Sequence, residues 1–111
     1  MKYLTLLLLL NTLSFEEVTQ DENVYVLTDG NFKDFVKSKK HVLVKFYAPW
    51  CGHCKKMAPD YAKLAKRVHS ESEDLAIAKL DATEQKAMAS EYSIQGFPTL
   101  KFFIDGQPID Y

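Results

Sequence analysis

The stretch VLVKFYAPWCGHCKKMAPDYAKLA, residues 42–65, decides how this chain folds. Its first six residues are β-branched, aliphatic or aromatic apart from Lys45, a pattern that reads as a strand buried on both faces. Trp50 closes the strand-to-helix junction, and from there the period changes. Met57, Ala58, Tyr61, Leu64, Ala65 and Val68 fall on one stripe at the helical spacing, which predicts a helix from about Cys51 to His69. Pro59 lies inside it, removes one backbone donor, and is expected to kink it about two turns after its start.

Cys51 and Cys54 stand where strand gives way to helix, with Gly52 and His53 between them. A cysteine at a helix N-terminus faces unpaired backbone N–H groups and the positive end of the helix dipole, both of which favour its thiolate. Thiols so placed titrate in the range of roughly 3.5 to 7.5 instead of about 8.5, so Cys51 is the expected attacking thiol. Cys54, inside the first turn, is close enough to attack a mixed disulfide on Cys51 and too enclosed to be attacked first, which makes it the resolving thiol. His53 beside Cys51 stabilises the reduced thiolate and so makes the pair a better oxidant. Gly52 completes the candidate catalytic segment, and Lys55 and Lys56 add positive charge that solvent screens.

Two other readings of the cysteines are weaker. An inert bridge between them would close a very short loop and constrain the unfolded chain little. A zinc site would need two further ligands, and His41, His53 and His69 are too widely spaced for a histidine pair of the usual ligand spacing. His41 and His69 read as turn and helix-end residues.

Outward from this segment the chain alternates short apolar runs with helical patterns. VYVL (24–27) reads as a strand, followed by a helix carrying Phe32, Phe35 and Val36, which Thr28 or Asp29 can cap. A turn over Ser38–His41 leads into the central strand. LAIAKL (75–80) is a second buried strand, Thr83 to Tyr92 a short helix with Glu84 in its first turn, and TLKFFI (99–104) another strand. Asp105-Gly106 signals a hairpin, so QPIDY should begin an antiparallel strand beside TLKFFI. An α/β domain with a mixed sheet and helices on its faces is expected. Residues 15–23, FEEVTQDEN, are acidic and aperiodic and read as a solvated arm.

The whole chain has 111 residues, with 14 Lys plus Arg against 15 Asp plus Glu. That length allows one small domain, and the near-zero net charge of -1 gives no basic footprint for nucleic acid. A charged fraction of 26% with 47% hydrophobic residues excludes a disordered chain, and two cysteines are too few for a disulfide scaffold. MKYLTLLLLLNTLS (1–14) has a basic start, an apolar run and small or polar residues at a cleavage spacing, the pattern of a secretory signal peptide. A membrane anchor would need about 20 apolar residues, and Asn11 interrupts the run well before that. The folded part, residues 24–111, is therefore expected in an oxidising space where a cysteine pair can be a working disulfide.

Taken with AKLDAT and IQGFPTLKFF downstream, the 42–65 stretch resembles the catalytic domain of the protein disulfide isomerase family, and APWCGHCK is highly specific to it. The resemblance implies a thioredoxin-like fold, a nucleophilic Cys51, a resolving Cys54, a modulating His53, and a cis peptide before Pro98. It implies that the loop with Phe97 and Pro98 lies against the cysteines, and that the backbone before the proline pairs with an extended substrate peptide. Outside that context Gly96 and Pro98 would read as an ordinary turn before a strand. Implied partners are unfolded or misoxidised secretory polypeptides, with a thiol oxidase or glutathione restoring the disulfide. The implied compartment is the lumen of the endoplasmic reticulum, and no organic or metal cofactor is called for.

Two features depart from the family pattern. Most members hold a buried glutamate six residues before the first cysteine, as proton acceptor for the resolving thiol, where this chain has Lys45. A buried neutral amine could still accept a proton, and a charged one would attract a Cys54 thiolate; alternatively the amine reaches solvent from a strand end. The chain also stops at Tyr111, so an incomplete last strand, no final helix and no retention tail of the KDEL type are expected. Two functions from different classes fit. One is a dithiol–disulfide oxidoreductase acting on secretory proteins. The other is a non-catalytic client-binding module using the aromatic surface around Trp50 and Phe97. A reductase of the cytosolic kind is disfavoured by the leader and by His53.

Overall fold

Strand β3 (His41–Tyr47) runs through the middle of a six-stranded mixed sheet because nearly every one of its side chains is apolar and both of its faces are covered. The computed structural model describes residues 17–109, so the proposed signal peptide (1–14) lies outside the described residues. In chain order the remaining elements are β1 (Thr19–Asp21), β2 (Val24–Leu27), α1 (Phe32–Ser38), α2 (Gly52–Glu71), β4 (Leu75–Asp81), α3 (Lys86–Glu91), β5 (Thr99–Ile104) and β6 (Gln107–Pro108). The sheet order is β1-β2-β4-β3-β5-β6. β3 pairs in parallel with β4, setting Lys45 opposite Lys79, and antiparallel with β5.

Alternation along the strands splits the core into two layers. On one face Phe32, Phe35 and Val36 of α1 and Met88 of α3 pack on Val42, Val44, Phe46, Leu80 and Phe103. Phe32 and Tyr92 hold this layer together through ring contacts with each other and with Phe46 and Phe103. On the other face Tyr61 and Ala65 of α2 meet Val24 and Ile77, with Leu43, Met57 and Val68 at the margin.

The expected mixed sheet flanked by helices is present, and five local expectations change. Residues 15–23 are not all arm, since Thr19–Asp21 form an antiparallel edge strand on β2. All three side chains are exposed, so burial leaves no alternation to read. The turn uses Glu22 and Asn23 at φ 50° and 68°, the left-handed geometry of a two-residue hairpin. Asp29 does not cap α1: its carboxylate accepts the Met88 N–H of α3 at 2.9 Å, while Asn31 and Thr28 exchange side chain–backbone bonds of 2.8 and 3.2 Å before α1. Helix α3 begins at Lys86, not Thr83, because the Asp81 carboxylate accepts both the N–H and the hydroxyl of Thr83 and holds a turn there. The buried stripe of α2 is narrower than predicted: Ala58 and Leu64 face outward. His41 is the first residue of β3, its N–H donating to the Asp74 carbonyl, and not part of a turn.

Asp105 and Gly106 turn the β5–β6 hairpin with positive φ at both positions. A Cβ on Gly106 would also lie 2.8 Å from Cγ of Lys37, so the hairpin tip sits directly on the end of α1.

Candidate active site

Cys51 is the N-cap of α2, in extended backbone geometry, and its Sγ accepts the Cys54 N–H at 3.3 Å. The strand end positions it, because Cys51 N–H donates to the Ala48 carbonyl at 3.1 Å, closing a turn between β3 and α2. Hydrogen bonding from the Cys54 thiol, helped by the amides of Cys54 and His53, pulls the Cys51 thiol below its ordinary range. Burial pushes the Cys54 thiol up, and its hydrogen bond to Cys51 adds to this. Both cysteines are nearly enclosed, at 7% and 3% exposure. The pair is thus split into one thiol poised to ionise and one held protonated.

Ala48, Cys51 and Cys54 form a small cluster of their own, against which Tyr47 and Phe97 pack. Phe97–Pro98 is a cis peptide, as the family resemblance implied, and this loop lies beside the cysteines through Phe97. Trp50 is 69% exposed and meets Phe97 edge to face, with ring centroids 5.7 Å apart. The two rings form an apolar ledge beside Cys51. His53 is exposed on the first turn of α2. Gly52 is exposed too, and a Cβ there would meet nothing within 4 Å, so space does not require glycine at that position.

Lys45 does not extend into solvent. It is buried at 4% exposure, its Nζ 4.6 Å from the ring centroid of Tyr61 and 5.7 Å from that of Tyr47. Lys45 and Cys54 line one cavity of about 120 Å³ together with Tyr47, Lys55 and Lys79. Burial lowers the Lys45 pKa, the Lys79 charge lowers it further, and only Cys54 acts in the opposite direction. Tyr61 was legible in the sequence as a core residue alone. In the structure its hydroxyl donates to the carbonyls of Ala78 (2.6 Å) and Leu43 (3.1 Å), fixing the ring beneath the amine. Lys79 was likewise missed, since only the β3–β4 register places it beside Lys45, and Tyr47 was missed although it follows Lys45 by two residues on the same face of β3.

No cluster of three or more His, Cys, Asp or Glu side chains suited to a metal ion occurs among the described residues. No helix among them is long and apolar enough to cross a membrane.

Comparison with known proteins agrees with this geometry. The family described as thioredoxin matches residues 23–111. Protein disulfide isomerase-like 1-4 of Oryza sativa subsp. japonica is 50% identical over 91 residues, which are 82% of this chain and 16% of the relative. The protein disulfide-isomerase of Oryctolagus cuniculus is 49% identical over 87 residues, 78% of this chain and 17% of that protein. The chain therefore spans about a sixth of the length of these curated relatives. The solution structure of the first thioredoxin domain of mouse protein disulfide-isomerase A4 superposes with a TM-score of 0.78 at 47% identity, covering 86% of this chain and 68% of that one. Domains of this kind use a redox-active disulfide with no external cofactor, and they bind substrate proteins. With fold, family match and relatives in agreement, the chain belongs to the thioredoxin family, on the branch of its protein disulfide isomerase domains.

Proposed function

We propose that the chain is a thiol–disulfide oxidoreductase that forms and rearranges disulfides in secretory polypeptides. The observation that carries this reading is the unequal pair at the start of α2, a Cys51 thiol favoured as thiolate by hydrogen bonds and an enclosed Cys54 thiol whose own backbone N–H donates to the Cys51 sulfur at 3.3 Å. In isomerisation the Cys51 thiolate attacks one sulfur of a substrate disulfide, forming a mixed disulfide and releasing the other sulfur as a thiolate. A different cysteine thiolate of the substrate then attacks the substrate sulfur of the mixed disulfide, forming a new substrate disulfide and releasing Cys51 as thiolate, with no net change of oxidation state. If the substrate stalls, Cys54 loses its proton and attacks Cys51. The Cys51–Cys54 bond forms, and the substrate leaves as a dithiol two electrons more reduced. Oxidation runs the same steps backward, and a thiol oxidase or glutathione disulfide then takes the two electrons and restores the bond.

Gly52 and His53 span the pair, His53 favouring the reduced thiolate. Phe97 and Pro98, with the ledge of Trp50, offer an extended substrate its backbone contacts and an apolar rest. Residues 1–14 act as a signal peptide, residues 24–111 as the catalytic domain, and the endoplasmic reticulum lumen is the working compartment.

Recovery of ribonuclease activity from the scrambled enzyme in a glutathione buffer tests this, beside a Cys51→Ser control. Recovery that disappears in the control supports the reading, and equal recovery in both overturns it. The exposed Trp50 favours one competitor, a non-catalytic client-binding module. Under that reading, client binding survives replacement of both cysteines by alanine and no catalysis is seen in the parent chain.

A further inference from the structure

The cysteine pair is served by more than the residues that touch it. Lys45 and Lys79 stand opposite each other on β3 and β4, and both ammonium groups lie near one ring, 5.7 and 5.8 Å from the centroid of Tyr47. Two like charges beside one aromatic ring disfavour each other. Lys45 makes no ion pair among the described residues. Lys79 does: its Nζ reaches past β2 to the edge strand and donates to Oδ2 of Asp21 at 2.7 Å. The same contact holds the Asp21 carboxyl below its ordinary range.

We propose that Asp21 is a positioning residue for the dithiol, anchoring the Lys79 ammonium at the sheet edge and thereby governing the charge that Lys45 presents to Cys54. The inference rests on the redox reading above. Its physical basis is the sequence of neighbours: Asp21 carboxylate on Lys79, Lys79 against Lys45, Lys45 with Cys54 in one cavity. The titratable groups around that cavity are Tyr47 on β3, Cys54, Lys55 and Tyr61 on α2, and Lys79 on β4. Asp21, Asp81 and Glu84 act on it through the Tyr47 hydroxyl. A carboxylate on Lys79 offsets part of the repulsion that Lys45 feels, so Lys45 keeps its proton to a higher pH and a Cys54 thiolate keeps its cationic neighbour. Losing that carboxylate leaves Lys79 uncompensated and drives Lys45 toward its neutral form at lower pH.

The decisive experiment titrates Lys45 by NMR in the full chain labelled at lysine Cε. Asp21→Asn should move the Lys45 midpoint down and Asp21→Glu should restore it. Lys79→Met should move it up, and on that background Asp21→Asn should have no further effect. The pH profile for resolution of a glutathione mixed disulfide on Cys51 should shift in step with the Lys45 midpoint. A Lys45 midpoint unmoved by Asp21→Asn overturns the proposal. A midpoint that moves as expected in a parent chain unable to form the Cys51–Cys54 bond overturns the redox reading instead, leaving the charge linkage standing.

Discussion

The Lys45 amine rests 4.6 Å from the ring centroid of Tyr61, whose hydroxyl is pinned to the carbonyls of Ala78 and Leu43. A cation in this place is held by an aromatic face and a neighbouring thiol, with no carboxylate of its own. Its protonation is therefore costly to the fold and responsive to small changes around it.

That cost has a definite sign with pH. The folded-state pKa of Lys45 lies below the ordinary 10.5, so between the two values the unfolded chain binds more protons and stability rises with pH. Lys45→Met keeps the length and removes the charge. Urea titrations between pH 7 and 10 should show the parent chain gaining stability relative to Lys45→Met as pH rises. A constant difference would contradict the assignment.

The two thiols should separate by reactivity. Because Cys51 is shifted down and Cys54 up, iodoacetamide applied to the reduced chain near neutral pH should label Cys51 first, with Cys54 following only at higher pH. Peptide mass spectrometry of timed samples reads this directly. Equal labelling of the two cysteines at neutral pH would be inconsistent with the split.

Asp29 stabilises a helix to which it does not belong. Asp29→Ala removes the acceptor for the Met88 N–H and should cost about 1 kcal/mol, the usual loss for a helix cap. Amide exchange at Ala87 and Met88 should quicken while α1 is unchanged. Faster exchange in α1 instead would mean that Asp29 caps its own neighbour after all.

Under the proposed function, replacing Trp50 should separate substrate grip from stability. At 69% exposure its replacement by alanine should change unfolding free energy by no more than about 0.5 kcal/mol. The kcat/KM for a peptide disulfide should nevertheless fall, because the ledge shared with Phe97 is halved. Unchanged kcat/KM would remove Trp50 from the substrate surface.

Much of the architecture was readable because β3, β4, β5 and α2 carry long apolar patterns whose period admits one interpretation. Val42, Val44 and Phe46 alternate toward one layer, and Tyr61 and Ala65 line one side of a helix, as their spacing requires. What escaped was set by pairs distant in sequence. β1 has no buried side chain to mark it, and the bond from Asp29 to Met88 spans 59 residues. The cysteine pair was legible because its spacing is local. The charge at Lys45 was not, because its state depends on Lys79 across the sheet and on Asp21 beyond that.

The edge position of β1 separates two kinds of motion. Its three exposed residues hold on through a single neighbouring strand, whereas β3 is paired on both sides along most of its length. Fraying of β1 is thus a low-energy local opening that leaves the β3–α2 junction intact. Loss of the β1 pairing takes the Asp21 carboxylate from Lys79 and leaves the strand that carries the site paired on both sides, so the tuning of the site is separable from its skeleton.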